Sequence, residues 1–363
     1  MDGKIIVSFR KYLLKFKNPS GTSRGILTHK SSWFLEISDG HRKGVGECSI
    51  IEGLSPDFSN EVQYESVLNE TCIKLQRQLN NIENISFDKS NYKFLNSELK
   101  KLFNDIVNFP SIVFGVEVAL LDFIAEEKGI LFDNNFSRAK ASIPINGLVW
   151  MGSEDFMQTQ IEQKLEAGFS TIKMKIGAID FQKEFALLDA IRKRFSKDEI
   201  TLRVDANGAF SYKEALHILK QLKTLEIHSI EQPIAVGQIE SIRLLCAENS
   251  IPIALDEELI GIHSRTKKDE LLTTISPQFI ILKPSLHGGI VGTFEWIQLA
   301  ERKNIGWWIT SALESSIGLN AIAQFTGEFD TLIPQGLGTG GLYTNNLPTD
   351  LIIEKGYLKR ILN

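Results

Sequence analysis

Residues 170–208, STIKMKIGAIDFQKEFALLDAIRKRFSKDEITLRVDANG, contain the module that decides the fold. A short apolar run (STIKMKIG) leads into FQKEFALLDAIRKRF, whose apolar residues recur at three- and four-residue intervals, and a second short run (TLRVDANG) follows. The pattern predicts strand, amphipathic helix, strand. The module recurs from about residue 141, in the runs SIPINGLV (142–149), HSIEQP (228–233), IPIALDEE (251–258), QFIILKPS (278–285), GWWITSALESS (306–316) and TLIPQGL (331–337). Stretches such as YKEALHILKQLKTL and TFEWIQLAERKN separate them with the same helical spacing. Eight such runs favour a parallel (β/α) barrel over the competing open doubly wound sheet. The repetition is of modules and not of letters.

Upstream, IIVSFRKYLLKF, SSWFLEISDG and RKGVGEC read as an antiparallel meander, broken by turn signals at Asn18-Pro19-Ser20-Gly21 and Asp39-Gly40-His41. Residues 61–105 are polar and helical in pattern, and SIVFGVEVALLDFIAEEKG (111–129) is apolar on most faces of its first half. Such a helix is expected to pack between two bodies. A length of 363 residues fits about two domains, and 43% hydrophobic against 23% charged residues fits a soluble globular protein. The net charge of -5 argues against a nucleic-acid partner. No window has the run of about 18 apolar residues that would span a membrane, and no signal peptide is evident, so the cytoplasm is expected. Cys48, Cys72 and Cys246 lack CxxC spacing, which argues against a disulfide framework or structural zinc. Oligomeric state is not legible.

The informative positions are charged residues ending apolar runs, where burial without a partner is costly. Lys173 and Lys175 share one strand face; Asp205 has Arg203 and Asn207 two residues to either side; Glu231, Asp256 and Lys283 end the next three runs. Singly, each is as readily a helix-capping carboxylate or a surface lysine. Their spacing argues otherwise: from Lys175 the intervals are 30, 26, 25 and 27 residues, each about one βα unit. Closed into a barrel, all five would converge on the carboxyl-terminal mouth, where barrel active sites lie. Three carboxylates without histidine or cysteine supply hard oxygen ligands and favour Mg²⁺, with Mn²⁺ an open substitute. Lysines flanking such a metal suit proton abstraction beside a carboxylate, which creates an enediolate. In that reading Lys175 is the base, Lys173 lowers its pKa by like charge, and Lys283 lies over the opposite face of the substrate.

KMK (173–175), VDANGAF (204–210), IEQP (230–233), LDEE (255–258) and LKPS (282–285) resemble the muconate-lactonizing subgroup of the enolase superfamily. The resemblance covers almost the whole chain. It implies an α/β fold, a modified TIM (β/α)8-type barrel at 136–340, with an α+β capping domain from residues 1–135 to which a tail, 341–363, returns. It also implies Mg²⁺ held by Asp205, Glu231 and Asp256. Within the subgroup, residues 285–324 and QGLGTGGLYTNN (335–346) resemble members that dehydrate 2-succinyl-6-hydroxy-2,4-cyclohexadiene-1-carboxylate in menaquinone synthesis. The resemblance then implies that Lys175 takes the proton and returns it to the departing hydroxide, while Lys283 stabilises the enediolate through a cation–π contact.

The chain departs from the subgroup at Asp256-Glu257-Glu258, where Asp-Glu-Ser is common; Glu258 is expected to be a helix-start carboxylate and not a fourth ligand. For a small dicarboxylate substrate, Arg203, Asn207 and Ser311 are candidate contacts, as are backbone N–H groups of 336–341. Ser23 and Arg24 lie in the Gly21–Gly25 loop, which resembles the family's flexible lid. Of histidines 29, 41, 217, 228, 263 and 287, none has ligand spacing, and His287 alone falls near the expected mouth. Two other functions compete: a racemase or epimerase of N-succinyl amino acids or dipeptides using the same lysines and metal, and a non-catalytic protein on the same fold.

Overall fold

The structure, a computed structural model, describes residues 4–22, 25–330 and 332–361. The N-terminal meander is an antiparallel sheet of β1 (Ile6–Thr22), β2 (Gly25–Ser38) and β3 (Lys43–Ser49), with β2 central. Period-two alternation puts Trp33, Leu35 and Ile37 on one face of β2, in the same core as Tyr64, Leu68, Cys72 and Leu75 of α1 (Glu61–Leu79). The indole of Trp33 and the ring of Tyr64 lie 4.7 Å apart, and Asn60 caps α1 by accepting the Gln63 N–H at 2.9 Å. A small hairpin, Phe87–Asp88 with Lys93–Phe94, precedes α2 (Ser97–Asp105).

The expected turn at Asn18-Pro19-Ser20-Gly21 is not where β1 ends. The strand continues to Thr22, with a register shift against β2 between Lys15 and Ser20. There the backbone changes partner: the Lys17 N–H donates to Leu342 O at 2.8 Å, and the Thr344 N–H donates to Lys15 O at 2.9 Å. A bulge with Pro19 in it satisfies two partners that no local turn signal reveals.

Helix α3 (Pro110–Ile124) buries 13 of its 15 residues, which requires packing on both sides. On one side lies β3, so close that a Cβ on Gly46 would meet Gly115 O at 1.8 Å and one on Gly44 would meet Ala119 O at 2.2 Å. On the other side lie helices of the second half of the chain, as the sequence predicts.

That half alternates strictly: β4 (Gly147–Val149), α4 (Glu154–Glu166), β5 (Thr171–Lys175), α5 (Phe181–Arg194), β6 (Thr201–Asp205), α6 (Tyr212–Lys223), β7 (Ser229–Glu231), α7 (Ile239–Glu248), β8 (Ile253–Leu255), α8 (Arg265–Ile275), β9 (Phe279–Leu282), α9 (Gly289–Arg302), β10 (Gly306–Ile309) and α10 (Ser316–Thr326). The seven strands form one parallel sheet in sequence order. The eighth run supplies a two-residue bridge and not a full strand: Gln335 pairs with Ile145 and Gly336 with Thr310, which joins the two sheet edges. Pro334 has no N–H to extend that ladder, and beside it the Gln335 side chain accepts from Ile309 N–H at 2.7 Å.

The end of the chain runs along β1 at 342–345 and then forms a hairpin, β11 (Leu351–Glu354) and β12 (Tyr357–Arg360). β12 pairs with Ile143–Pro144 just ahead of β4. Two acidic side chains of the N-terminal region close the joint with the barrel. Glu47 of β3 accepts from the N–H groups of Ser315 and Gly318 at the start of α10, and Glu117 of α3 accepts from Ile290 N–H at the start of α9. Both put a side-chain oxygen where the N–H groups of a helix N-terminus lack acceptors. No helix among the described residues is long and apolar enough to cross a membrane.

Candidate active site

Strands β5, β6 and β7 are in register at their carboxyl ends: Lys175 lies opposite Asp205, and Asp205 opposite Glu231. Glu231 lies opposite Ala254, so Asp256 stands two residues further along, past the end of β8, and Lys283 directly follows β9. Strand tilt in a closed sheet produces that climb. The five residues do converge.

Lys173 and Lys175 share one oxygen, each Nζ lying 3.0 Å from Asp205 Oδ2. Lys173 also pairs with Glu231, and Lys283 pairs with Asp256. Asn207, in the left-handed region at φ 44°, accepts from Lys175 Nζ and donates to Glu257 Oε1 at 2.9 Å. The loop after Lys175 is held by Glu184, whose carboxylate accepts from Gly177 N–H at 2.8 Å. Gln232 links the next two loops, its Oε1 accepting from the N–H groups of both Asp256 and Glu258 at 3.3 Å.

Burial disfavours charge throughout this cluster, and the pairing decides each outcome. For Lys173 the carboxylates of Asp205 and Glu231 outweigh burial and hold it protonated above the ordinary lysine range. Asp256 and Glu257 do the same for Lys283. Asp205, between two lysines, is pulled below the usual carboxylate range despite its burial. Glu231 goes the other way: burial and the like charge of Asp205 push it up, more strongly than Lys173 pulls it down.

Above this floor is a cavity of about 320 Å³. Its apolar wall comes from Leu27, Ile51 and Leu54 of the N-terminal region and from Trp150, Leu313 and Leu342. Trp308, Ser311, Gly336, Gly338 and Thr339 complete the polar side, with Ser311 Oγ 2.5 Å from Thr339 Oγ1.

The residues present fit a hard divalent cation. Asp205, Glu231 and Asp256 are buried oxygen donors at the ends of adjacent strands, and Asp256 Oδ1 has no hydrogen-bond partner. Lys173 and Lys175 hold Asp205 Oδ2, Lys173 also holds Glu231 Oε2, Lys283 holds Asp256 Oδ2, and Asp205 Oδ1 accepts from the Asn207 N–H at 3.1 Å; among the described residues no group of three or more such side chains stands arranged as a metal cage.

Residues 157–359 match the family described as Enolase C-terminal domain-like. Over 97% of its length the chain is 46% identical to o-succinylbenzoate synthase of Desulfotalea psychrophila, covering 98% of that protein. The chain belongs to the o-succinylbenzoate synthase family of the enolase superfamily. The crystal structure of MenC from Desulfotalea psychrophila LSv54 superposes with a TM-score of 0.83 at 41% identity, over 98% of this chain and 100% of that one. Similarity to the superfamily's L-Ala-D/L-Glu epimerase from Bacillus subtilis is weaker, 28% identity over 58% of this chain and 57% of that protein.

The candidate residues of this o-succinylbenzoate synthase family member divide. Lys173, Lys175, Asp205, Asn207, Glu231, Asp256, Lys283 and Ser311 all line the cavity. Arg203 does not: it is 2% exposed, its guanidinium lies 4.2 Å from the Trp308 ring centre, and Nη1 donates to Pro334 O. It shares the Asp205 face of β6 but sits deeper in the barrel. Ser23 and Arg24 lie outside the described residues. Glu258 falls in a 3-10 turn (Glu257–Leu259) and accepts from Gly237 N–H and Gln232 Nε2, so it holds a loop and is not at the floor. The same turn brings Glu257 to the cavity, a position that strand alternation past Asp256 does not suggest. Sequence reasoning also missed Trp150 and Ile51, which carry no polar signal, and Lys164, which reaches the cavity beside Phe169.

Proposed function

We propose that the chain is an o-succinylbenzoate synthase that converts 2-succinyl-6-hydroxy-2,4-cyclohexadiene-1-carboxylate to 2-succinylbenzoate by Mg²⁺-dependent syn loss of water, a step of menaquinone synthesis. The observation that carries the reading is the near-full-length likeness to the Desulfotalea protein. Opposed lysines around three buried carboxylates beneath an apolar wall support it. The proposal takes residues 1–135 with the tail from 341 as the cap and 136–340 as the catalytic unit.

Asp205, Glu231 and Asp256 would hold Mg²⁺, which supplies fixed positive charge beside the substrate carboxylate. Lys175, as the free amine, takes the ring proton alpha to that carboxylate, and the C–H electron pair passes into an enediolate. The same ammonium then gives its proton to the hydroxyl on the same face; the C–O bond breaks, its electrons leave with water, and the enediolate pair forms the last double bond of the aromatic ring. One residue serving as base and then acid accounts for the syn course. Lys283, held protonated, faces the developing negative charge from the other side. Lys173 stays charged between Asp205 and Glu231, two residues from the base. Leu27, Ile51, Leu54 and Trp150 exclude water and so strengthen these interactions.

Two opposed lysines also suit proton exchange at one carbon, the chemistry of an epimerase. Supplying the cyclohexadiene acid with Mg²⁺ separates the two: dehydration yields an aromatic chromophore, whereas epimerisation yields none and inverts an α-carbon.

A further inference from the structure

The turn after β9 contains an arrangement that the mechanism above does not use. His287 is 1% exposed and engages both backbone polar groups of Lys283. Its N–H donates to Lys283 O at 3.0 Å, and its Nδ1 accepts from the Lys283 N–H at 2.8 Å. β9 ends at Leu282, so the Lys283 amide lies beyond the sheet ladder, and His287 Nδ1 satisfies it instead. An accepting Nδ1 places the ring proton on Nε2. Burial pulls the imidazole down to about 3 against the opposing charge of Asp256, with Lys283 and Lys268 adding to the fall, so the Nδ1 lone pair stays available at neutral pH.

The rest of the turn is tied as firmly. Ser285 Oγ donates to Glu314 Oε1 at 2.6 Å, and Gly289 N–H donates to Pro284 O at 2.9 Å. At the far end, Glu117 of the N-terminal region accepts from Ile290 N–H, and it comes so near that a Cβ on Gly289 (φ 75°) would stand 2.0 Å from Glu117 Oε2. Lysine has a flexible four-carbon stem, so the direction of its Nζ depends on the backbone from which it starts. Among the described residues, the side-chain acceptor of the Lys283 N–H is His287.

We propose that His287 is a positioning residue for Lys283: its imidazole fixes the backbone from which Lys283 Nζ is delivered to the substrate face opposite Lys175. The inference rests on the reading of Lys283 as a catalytic residue. Asparagine carries a carbonyl oxygen near the place of Nδ1, and leucine has the same shape without an acceptor, so the two variants differ in the hydrogen bond and share the lost volume.

The test measures kcat and KM for dehydration in His287→Asn, His287→Leu and Lys283→Ala, with circular dichroism confirming the fold. His287→Leu is expected to lose about 10²-fold in kcat with little change in KM, and His287→Asn to recover most of it, since misplacement by about 1 Å costs that much. Equal kcat in the Asn and Leu variants, whether low or normal, overturns the proposal while a low kcat in Lys283→Ala leaves the role of Lys283 standing. Normal turnover in Lys283→Ala overturns both. If His287→Leu does not fold, His287→Met, which refills the volume without a strong acceptor, takes its place in the comparison.

Discussion

Lys175 and Asp205 are register partners on adjacent strands, and Lys175 Nζ lies 3.0 Å from Asp205 Oδ2. The proposed base and a proposed metal ligand thus hold one another, with Lys173 on the same oxygen. Asp205 would therefore hold Mg²⁺ while it also pairs with Lys173 and Lys175.

Lys175→Ala should lower kcat by about 10³-fold while Mg²⁺ still binds, because general acid–base groups contribute about 10²–10⁴-fold. Steady-state assays paired with a calorimetric Mg²⁺ titration check both halves. Substantial residual turnover with intact metal binding would move the base elsewhere.

Chelation should abolish turnover without unfolding the chain, and added Mg²⁺ should restore it. Asp256→Asn, nearly isosteric, should weaken Mg²⁺ binding by about 10-fold or more, since it replaces a charged oxygen ligand by a neutral one. Turnover that survives exhaustive chelation would contradict the metal site.

Glu117 offers a test of the joint between the cap and the barrel. Burial pushes its carboxyl from 4.5 to about 8, against the pull of the Ile290 and Val291 N–H donors. An acid with a raised native pKa holds its proton more tightly when folded. Its contribution is complete below about 4.5 and is lost as pH rises through about 8. Between pH 5.5 and 8.5 the unchanged protein should lose about 2–4 kcal/mol more unfolding free energy than Glu117→Gln. Parallel urea-denaturation profiles would refute this.

Gly46→Ala should destabilise the cap by about 3 kcal/mol or more, because the methyl would stand 1.8 Å from Gly115 O in a packed interface. Gly341→Ala, whose Cβ meets nothing within 4 Å, is the control and should melt as the unchanged protein does.

The spacing of charged residues made much of the site legible, since one βα unit per interval forces Lys175, Asp205 and Glu231 to one height. What stayed hidden depends on partners distant in sequence or on departures from regular geometry. The turn signal at Asn18-Pro19-Ser20-Gly21 misled because β1 pairs there with Leu342 and Thr344. Strand alternation places Arg203 and Asp205 on one face but says nothing of depth, so Arg203 ended beneath Trp308. Alternation fails altogether past Asp256, where a 3-10 turn takes Glu258 to the neighbouring loop and Glu257 to the cavity. His287 stood out by its place after Lys283, yet its grip on that residue's backbone follows from a tight turn that sequence does not display.

The most direct test of the account supplies the purified protein with 2-succinyl-6-hydroxy-2,4-cyclohexadiene-1-carboxylate and Mg²⁺ in deuterated water and follows ultraviolet absorbance and product mass. The account predicts Mg²⁺-dependent appearance of aromatic 2-succinylbenzoate, one water lost per turnover. No aromatic product, together with inversion and deuterium uptake at the α-carbon of an N-succinyl amino acid, would contradict it.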